Sequence, residues 1–425
     1  MRLTRRTKSL ALAFMFALGP SFACATGDDE PKATPAPEVD PTPPLDAAVA
    51  DATDDGLPPM PSTCSAGGFC YVRSPYLGPL LAVSASSVDD AWMVPEQSGA
   101  LLRWDGASLK QIYEYEGPTP PNITFSGVWA ETKDNVWAAA MGSDGHVVLV
   151  RYSSPPGGGA PAFRELPTRE SATAILGIWG TPAGDTLWMV TDRAVLRVRE
   201  DESGVIVDNL VPSTDAEDAG QYSWRGVWGF GPGDVYVAGR VCPSDYCEPK
   251  DSYGAIGHYD GTSWSVTTID SASDVLSLRG TPPGTDRRLW FDTSEPSSRE
   301  GDGSMTTYAE KTYLVPITNA GAPGAPLYSH PADVAPACSN RVGHAAAPTS
   351  AWLSSGLLLC RWTGTKLEPV QTSPGALPVV ATLNGIWAGG AEDVWIVGAA
   401  VTRDGLPPRG FAARRTAATA TGGQP

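Results

Sequence analysis

The sequence predicts an all-β protein, a seven-bladed β-propeller built from four-stranded antiparallel blades. Three observations predict this fold. A short motif recurs seven times: an acidic or polar turn, an apolar residue and then Trp or Tyr. Successive aromatic residues of this motif lie 43 to 62 residues apart, and short β-branched runs fill the intervals. Repeats of this length form propellers or solenoids, because one unit cannot bury its own apolar face. The recurring aromatics are Trp92, Trp137, Trp188, Tyr236, Trp290, Trp352 and Trp395.

Each repeat is predicted to contain four short strands. In four repeats the first run ends in a second Trp, eight or nine residues before the recurring aromatic: Trp129, Trp179, Trp228 and Trp387. Pro, Gly and Asp residues between the two aromatics predict an antiparallel hairpin. A third run such as 101–104 and, after an Asp-Gly turn, a fourth run such as 263–269 complete the unit. These runs alternate with turns and show no helical periodicity, which favours strands.

The N-terminal part of the chain is expected to close the ring. The last repeat has a third run at 410–413 but no fourth run, whereas the run Phe69–Arg73 precedes the first repeat and belongs to none. We expect this run to become the missing outer strand, which leaves no long unpaired edge. An open array, or six or eight blades, are the alternatives. The fifth and sixth repeats are the least regular, since Arg279 replaces the first Trp and the Pro-, Gly- and Ser-rich stretch Ser294–Pro336 separates them.

The fourth repeat resembles two known kinds of blade. The run 235–239, then Tyr259-Asp260, then Trp264 follows the order of kelch repeats, although Arg240 replaces the second glycine of the kelch pair. The segment 259–264 also resembles a shortened Asp-box. Together the repeats, over roughly residues 69–415, resemble the tryptophan-rich propeller repeats of bacterial exported lipoproteins and surface proteins. The resemblance implies the architecture and says little about activity, because propellers host many unrelated functions.

Residues 1–23 read as an export signal peptide. A basic start, with Arg2, Arg5, Arg6 and Lys8, precedes an apolar run at 10–18 that is too short to span a membrane. Cys24 follows Ala23 and resembles the lipid-attachment cysteine of bacterial lipoproteins, although Ser21 stands where that family usually has Leu. Ordinary signal-peptidase cleavage after residues 21–23 is the alternative, because this triplet also fits a small-x-small site.

Residues 24–60 are predicted to be a disordered acidic tether. Residues 26–60 hold nine Asp or Glu against one Lys, with many Pro and Ala, so they cannot bury a core and they repel one another. The propeller is then expected over 61–415 and a disordered tail over 416–425. A tether after Cys24 favours an outer-membrane lipoprotein or a cell-surface protein, with a periplasmic or secreted protein as the alternative.

Charge and cysteine content agree with an exported protein. The net charge of −17 argues against nucleic acid as a partner, since phosphate binding needs clustered Lys and Arg. Apart from Cys24, the cysteines fall into three local couples, which favours disulfides in an oxidising compartment while leaving the connectivity open. We expect a monomer. The couples are Cys64 with Cys70, Cys242 with Cys247, and Cys338 with Cys360.

Motifs for catalysis, metal or cofactor binding are not found in the sequence, so we predict no catalytic residue, no metal and no cofactor. His258 is interpreted as a variant of a third-strand position that holds Arg in sister repeats: Arg103, Arg151, Arg197 and Arg361. Carboxylates recur at the hairpin turns and are expected to bond their own backbone. These turn carboxylates are Asp89, Asp134, Asp185, Asp234 and Asp393.

The predicted function is a non-catalytic binding scaffold for a protein or glycan partner, with variable loops on a stiff frame supplying recognition. The stretch Ser294–Pro336 and the loop Cys242–Cys247 are the expected specificity elements. One alternative is a lectin-like propeller in which Trp104, Trp264 and Trp362 stack on sugars. A glycosidase or lyase with a propeller fold is the other alternative.

The lipid anchor can be tested directly. Replacing Cys24 with Ser should release the protein from the membrane fraction and abolish incorporation of labelled fatty acid, because the thiol that would carry the lipid is lost. Fractionation and metabolic labelling measure both effects. If the wild-type protein never incorporates label, the protein is secreted or periplasmic and the anchor is wrong.

Overall fold

The computed structural model describes residues 64–417 except for 117–122, 156–158, 183–184, 202–203, 211–220, 243–251, 285, 300–305, 320, 332–337, 340, 374–378 and 402–408. The predicted signal peptide, the tether and Cys24 lie outside the described residues, as does all but the start of the tail. Within the described part of the chain, no helix is long and apolar enough to cross a bilayer.

Seven four-stranded antiparallel sheets confirm the predicted fold and blade count. The first three blades are β2 (Leu80–Ser87), β3 (Asp90–Pro95), β4 (Ala100–Trp104), β5 (Leu109–Glu114); β6 (Ile123–Thr132), β7 (Asn135–Gly142), β8 (His146–Ser153), β9 (Ala162–Ser171); and β10 (Ile175–Gly180), β11 (Thr186–Thr191), β12 (Val195–Asp201), β13 (Gly204–Asn209).

The remaining four blades complete the ring. They are β14 (Gln221–Gly231), β15 (Asp234–Cys242), β16 (Tyr253–Tyr259), β17 (Trp264–Ile269); β18 (Asp274–Gly280), β19 (Arg288–Arg299), β20 (Thr306–Pro316), β21 (Tyr328–Pro331); β22 (Val342–Ala347), β23 (Ser350–Ser354), β24 (Leu359–Trp362), β25 (Leu367–Val370); and β26 (Val379–Ala388), β27 (Val394–Val401), β28 (Arg409–Arg415) with β1 (Cys70–Val72).

Strand register places the recurring aromatic at the same point of every second strand, which we call the aromatic position. All seven of these side chains have 0% exposure. Each faces a third-strand residue, the cation position, which is Arg in five blades, His258 in the fourth and Leu314 in the fifth. The register therefore confirms that His258 is the fourth blade's variant of the repeated Arg.

In five blades the side chain at the cation position stacks on the ring at the aromatic position. The guanidinium carbon of Arg151 lies 4.6 Å from the ring centroid of Trp137, and that of Arg103 lies 5.0 Å from Trp92. His258 stacks on Tyr236 with centroids 4.4 Å apart. Such contacts contribute about 0.5–2 kcal/mol each and cover the face of the ring that the sheet does not cover.

The apolar core lies between the blades. The aromatic position of one blade contacts outer-strand aromatics of the next: Trp188 lies 5.3 Å from Tyr259, and Trp290 lies 5.3 Å from Trp362, centroid to centroid. Truncating a side chain buried to this degree costs about 3–5 kcal/mol. Every blade is therefore stabilised mainly by its neighbours.

Strand β1 closes the ring as predicted. Cys70, Tyr71 and Val72 pair with β28 and form the outer strand of the seventh blade. The preceding Phe69 is fully buried, with its ring 5.7 Å from that of Trp352. The disulfide between Cys64 and Cys70 holds the chain that leads into this strand.

The stretch Ser294–Pro336 differs from its prediction as an insertion between blades. It contains the end of β19 and all of β20 and β21, which are strands of the fifth blade. The pairing of β19 with β20 continues as far as Arg299 with Thr306, so that the hairpin extends from the blade as an arm. The Thr- and Tyr-rich run 306–313 favours a strand, but the flanking Pro, Gly and Ser residues concealed it.

Removing the closing strand should destabilise the propeller. Deleting residues 61–74 exposes the edge of β28 and removes Phe69 from the core, so we expect the free energy of unfolding to fall by about 3 kcal/mol or more. Deleting residues 26–60 should leave it unchanged. Chemical denaturation measures both. Equal stability of the two truncations would rule out closure by this segment.

Candidate functional site

The propeller has two different faces. Neighbouring strands of every blade are antiparallel. One face therefore carries the connections from second to third strands and from each blade to the next, and every first strand begins on this face. We call this the upper face. The opposite, lower face carries the connections from first to second and from third to fourth strands.

Longer intervals of sequence separate the strand ends at the upper face. The strands that flank the intervals 115–122, 210–220, 243–252, 332–341, 371–378 and 402–408 end and begin at this face, as do β19 and β20. Lower-face connections are mostly short, such as 88–89, 133–134, 202–203, 232–233 and 348–349, with 154–161, 281–287 and 317–327 as the exceptions. Variable loops on a rigid frame are where binding residues are commonly found.

The first strands surround a central cavity of about 250 Å³. In six blades the first strand has a β-bulge near its start, which leaves one residue without a partner in the second strand. Four of these bulged residues line the cavity: Leu81, Ser126, Leu176 and Asn384. Because bulges redirect side chains, the upper half of the cavity presents residues that a regular strand would not.

One first-strand residue per blade faces the aromatic position, and we call it the inner position. The seven residues are Ser84, Trp129, Trp179, Trp228, Arg279, His344 and Trp387. Rings at this level contact one another across the channel: Trp129 lies 6.2 Å from Trp228, and Trp228 lies 5.9 Å from His344. These side chains fill the lower part of the channel.

A small residue always follows the inner position, because the inner side chain leans on the next blade. A Cβ atom at Gly180 would lie 2.4 Å from Cδ1 of Trp129, and one at Gly280 would lie 2.2 Å from Cδ1 of Trp228. After the blade with Ser84, the next blade has Ala130, whose N–H donates to the Ser84 hydroxyl at 2.9 Å. Gly is therefore found where the previous blade carries Trp129, Trp179 or Trp228.

Arg279 is a cation at an otherwise largely aromatic level of the channel. Its Nε donates to the carbonyl of Gly343 at 3.1 Å and its Nη1 to the carbonyl of Leu278 at 2.6 Å. Burial lowers the pKa of Arg279, an effect that the charge of Asp292 opposes. A guanidinium nevertheless stays protonated in proteins. No carboxylate among the described residues forms an ion pair with it.

His344 lies beside this cation at the inner position of the sixth blade. Burial, followed by the charge of Arg279, lowers the pKa of His344 to about 4, although a backbone hydrogen bond with Ala388 acts in the opposite direction. The imidazole is therefore neutral at pH 7. Its Nδ1 atom is buried and has no hydrogen-bond partner among the described residues. The wall of the cavity thus combines one fixed positive charge with a neutral ring nitrogen.

The three Trp residues considered for sugar stacking lie in the inter-blade core. Trp104 and Trp362 are only 6% and 3% exposed. Trp104 contacts Trp395 and the guanidinium of Arg414, and Trp362 contacts Trp290 and Tyr328. Trp264 is half-buried. Neighbouring blades already cover the faces of Trp104 and Trp362, which leaves little of either ring exposed for stacking on a sugar.

Two of the three predicted disulfides are present, Cys64–Cys70 and Cys338–Cys360. Cys242 is also disulfide-bonded, whereas Cys247 and the rest of its loop lie outside the described residues. Disulfides of this kind are typical of extracytoplasmic proteins. No group of three or more His, Cys, Asp or Glu residues in the described part of the chain is arranged to hold a metal ion.

The turn carboxylates behave differently from expectation. Asp185 bonds locally to the hydroxyl of Thr181 at 2.8 Å, but Asp89 pairs with Arg414 at 3.1 Å. Asp234 pairs with His258 at 2.9 Å and with Arg287 at 2.6 Å. Burial raises the pKa of Asp234, but His258 and Arg287 hold it below its usual value. Backbone bonding was the wrong prediction for Asp89 and Asp234, because cations lie within reach.

The sequence pattern predicted Arg279 at the first-Trp position of an irregular repeat and predicted no functional role for His344. A usable signal existed for His344, which precedes Trp352 by eight residues, the spacing that separates Trp129 from Trp137. Arg279 precedes Trp290 by eleven residues, and strand register confirms that it occupies the position of the first Trp.

Comparison with known proteins identifies the fold and no family. No family model matches the sequence, and no curated protein matches it. The solved structure titled "YCF48 bound to D1 peptide" is 14% identical, with a TM-score of 0.52 over 82% of this chain and 97% of that chain. The "Streptogramin B lyase structure" is also 14% identical, with a TM-score of 0.50 over 82% of this chain and 97% of that one.

A third similar structure comes from "Crystal Structure of Mitotic Checkpoint Complex", at 11% identity and a TM-score of 0.52, covering 87% of this chain and 98% of that chain. These titles name a peptide complex, a lyase and a protein assembly. At such identities they show a shared propeller fold, which hosts both binding scaffolds and enzymes.

His344 should make the stability of the protein depend on pH. Between about pH 6.5 and pH 4 the unfolded chain binds a proton on this residue that the folded protein does not bind. The contribution of His344 to the free energy of unfolding is therefore complete above pH 6.5. It falls as the pH drops, by at most about 1.4 kcal/mol per pH unit. Denaturant titrations at several pH values should show a weaker pH dependence in His344→Gln.

His146→Gln is the matched control, because His146 lies at an exposed site. It should retain the wild-type dependence on pH. An identical dependence in wild type and His344→Gln would contradict the assigned burial of the neutral imidazole.

Proposed function

We propose that this protein is an exported, non-catalytic binding scaffold whose upper face holds a protein or glycan partner. One observation carries the proposal: five of the six exposed large apolar side chains of the described residues lie on the upper face or in the strand ends next to it. The five side chains come from several blades, so in this proposal they serve as separate contact points on one face. The five residues are Leu77, Leu176, Tyr253, Tyr308 and Leu357.

The described parts of the two expected specificity elements belong to neighbouring blades on this face. Strand β15 of the fourth blade ends there at Cys242, and the arm formed by β19 and β20 belongs to the fifth blade. Tyr253 and Tyr308 are exposed by 45% and 37% on these same two blades. Exposed tyrosines are frequent anchors in protein interfaces and in sugar sites, because they offer a rigid ring and a hydroxyl.

The arm is held in one conformation by polar contacts near its base. Glu295 accepts a hydrogen bond from the Tyr313 hydroxyl at 2.6 Å and pairs with Lys311 at 2.9 Å. Arg341 of the sixth blade forms an ion pair with Glu310. A preorganised arm loses little conformational entropy when a partner binds, which favours affinity.

Export and anchoring complete the proposal. The disulfides fit an oxidising compartment. A lipid on Cys24, followed by an extended acidic tether, would let the propeller reach a partner at some distance from the membrane. The ring of buried aromatics supplies the rigid frame, and the upper face supplies recognition.

A comparison of the two faces tests the proposal. The full-length protein should retain its partner from a cross-linked envelope fraction, or a glycan on an array, through the upper face. The double variant Tyr253→Asp/Tyr308→Asp should weaken this retention at least about tenfold, a loss of about 1.4 kcal/mol. The lower-face variant Leu327→Asp is the matched control, because Leu327 is 54% exposed, and it should behave as wild type.

Two results would contradict the scaffold. Equal retention by the upper-face and lower-face variants would remove the upper face from the interaction. A hydrolytic or lyase activity that a single carboxylate substitution abolishes without lowering the melting temperature would identify an enzyme.

A further inference from the structure

We propose that the central channel is a carboxylate-binding site, in which Arg279 pairs with an acidic group that enters from the upper face. The proposal deepens the binding function by naming the chemistry of its ligand. It rests on the charge state of the channel, on the partners that Arg279 has and lacks, and on the size of the cavity.

Arg279 differs from the arginines at the cation position in its partners. Arginines at the cation position pair with acids: Arg103 lies 2.7 Å from Asp90, Arg197 lies 2.8 Å from Asp208, and Arg361 lies 3.1 Å from Glu392. Arg279 bonds to two carbonyl oxygens, and no described carboxylate lies within ion-pair distance. Arg279 is half-buried and lines the cavity, so an acid that completes the ion pair there would be bound favourably.

The fifth blade also contains an acid, Asp292, that interacts with Arg279. Its charge acts on Arg279, but it belongs to the second strand of the fifth blade and is fully buried. One of its oxygens accepts a hydrogen bond from the Thr312 hydroxyl at 2.6 Å. Asp292 thus acts on Arg279 through its charge, while Arg279 itself lies in the wall of the cavity.

Two backbone carbonyls fix the orientation of the Arg279 guanidinium. The carbonyls of Gly343 and Leu278 fix it through Nε and Nη1. The N–H groups that remain have no partner among the described residues. A guanidinium presents paired donors that match the two oxygens of a carboxylate. His344 adds a neutral ring nitrogen, Nδ1, that is buried in the same wall and has no described partner.

The size of the site limits the ligand. A cavity of about 250 Å³ lies below the usual range of roughly 300–1,000 Å³ for drug-sized molecules. It suits a small acid, or one acidic side chain or C-terminal carboxylate of a partner segment. One guanidinium provides one positive charge, which matches a carboxylate better than a doubly charged phosphate. The inner Trp residues fill the lower channel, so the ligand would arrive from above.

Thermal unfolding of the full-length protein, with intrinsic Trp fluorescence as a second readout, tests the site. The probes are acetate for a free acid, Ac-Gly-Asp-Gly-NH2 for an acidic side chain, and Ac-Gly-Gly-Gly-OH for a C-terminal carboxylate. Acetamide and Ac-Gly-Gly-Gly-NH2 are the neutral controls. We expect at least one acidic probe to raise the melting temperature saturably and to change the fluorescence of the Trp residues that line the cavity, while the neutral controls do neither.

Arg279→Met separates binding from folding. It keeps an unbranched side chain of similar length without the charge, so we expect an unchanged or higher melting temperature without ligand and at least a tenfold loss of affinity for the acidic probe. Arg279→Gln is the second variant, should methionine disturb the fold. Arg103→Gln removes a paired arginine outside the channel and should keep wild-type binding.

Three outcomes would overturn the proposal: acids and amides acting alike, an undiminished effect of the acid in Arg279→Met, or no saturable effect of any acid on the wild type. These failures would leave the comparison of upper-face and lower-face variants intact, so that the carboxylate site and the scaffold function fail separately. A response to the peptides but not to acetate would assign the carboxylate to a partner protein, and a response to acetate alone would assign it to a free acid.

Discussion

The contact between blades through the aromatic position is the interaction on which the rest of the structure depends. Each blade places one Trp or Tyr, fully buried, against the outer strands of its neighbour. A single four-stranded sheet could not cover such a ring, so every blade needs the next one and the last blade needs the first. The cation position completes the arrangement, since Arg or His stacks on the aromatic ring. Rigidity, closure and the fixed geometry of the channel all follow from this repeated contact.

The inner position links that frame to function. Where Trp129, Trp179 or Trp228 occupies it, the next blade supplies Gly, because an indole and a Cβ atom cannot share the same space. Where Arg279 and His344 occupy it, the following blades carry Ala345 and Ala388, and the level of the channel changes from apolar to polar. Two neighbouring blades carry Arg279 and His344 at the inner position, and this pair creates one chemically distinct sector inside a nearly symmetric ring. Asymmetry of this kind is what a repeat protein needs in order to bind one ligand in one orientation.

Much of the fold was predictable because its determinants are local and repeated. The spacing of the aromatics gave seven blades, and the run 69–73 gave the closing strand, since both depend on short patterns that the sequence displays directly. The polar sector of the channel was not predictable in the same way. The repeat placed Arg279 at the position of the first Trp, but only pairing across the sheets shows that His344 shares its level in the channel. Which outer-strand Trp side chains are covered depends on the neighbouring blade, and Trp104 and Trp362 are both buried against it.

Ring closure by β1 also has a mechanical consequence. The first described residues of the chain and its last strand belong to the same blade, so a pull on the N-terminal end acts at once on the three-residue pairing of β1 with β28. This seam is short, yet three features reinforce it against peeling: the Cys64–Cys70 bridge, the ring of Phe69 inserted beside Trp352, and the Ser65 hydroxyl bonded to the carbonyl of Gln371. Load is thereby passed to the sixth blade as well as the seventh. A propeller tethered by this end would yield first at that seam, and the upper face would keep its shape until it did.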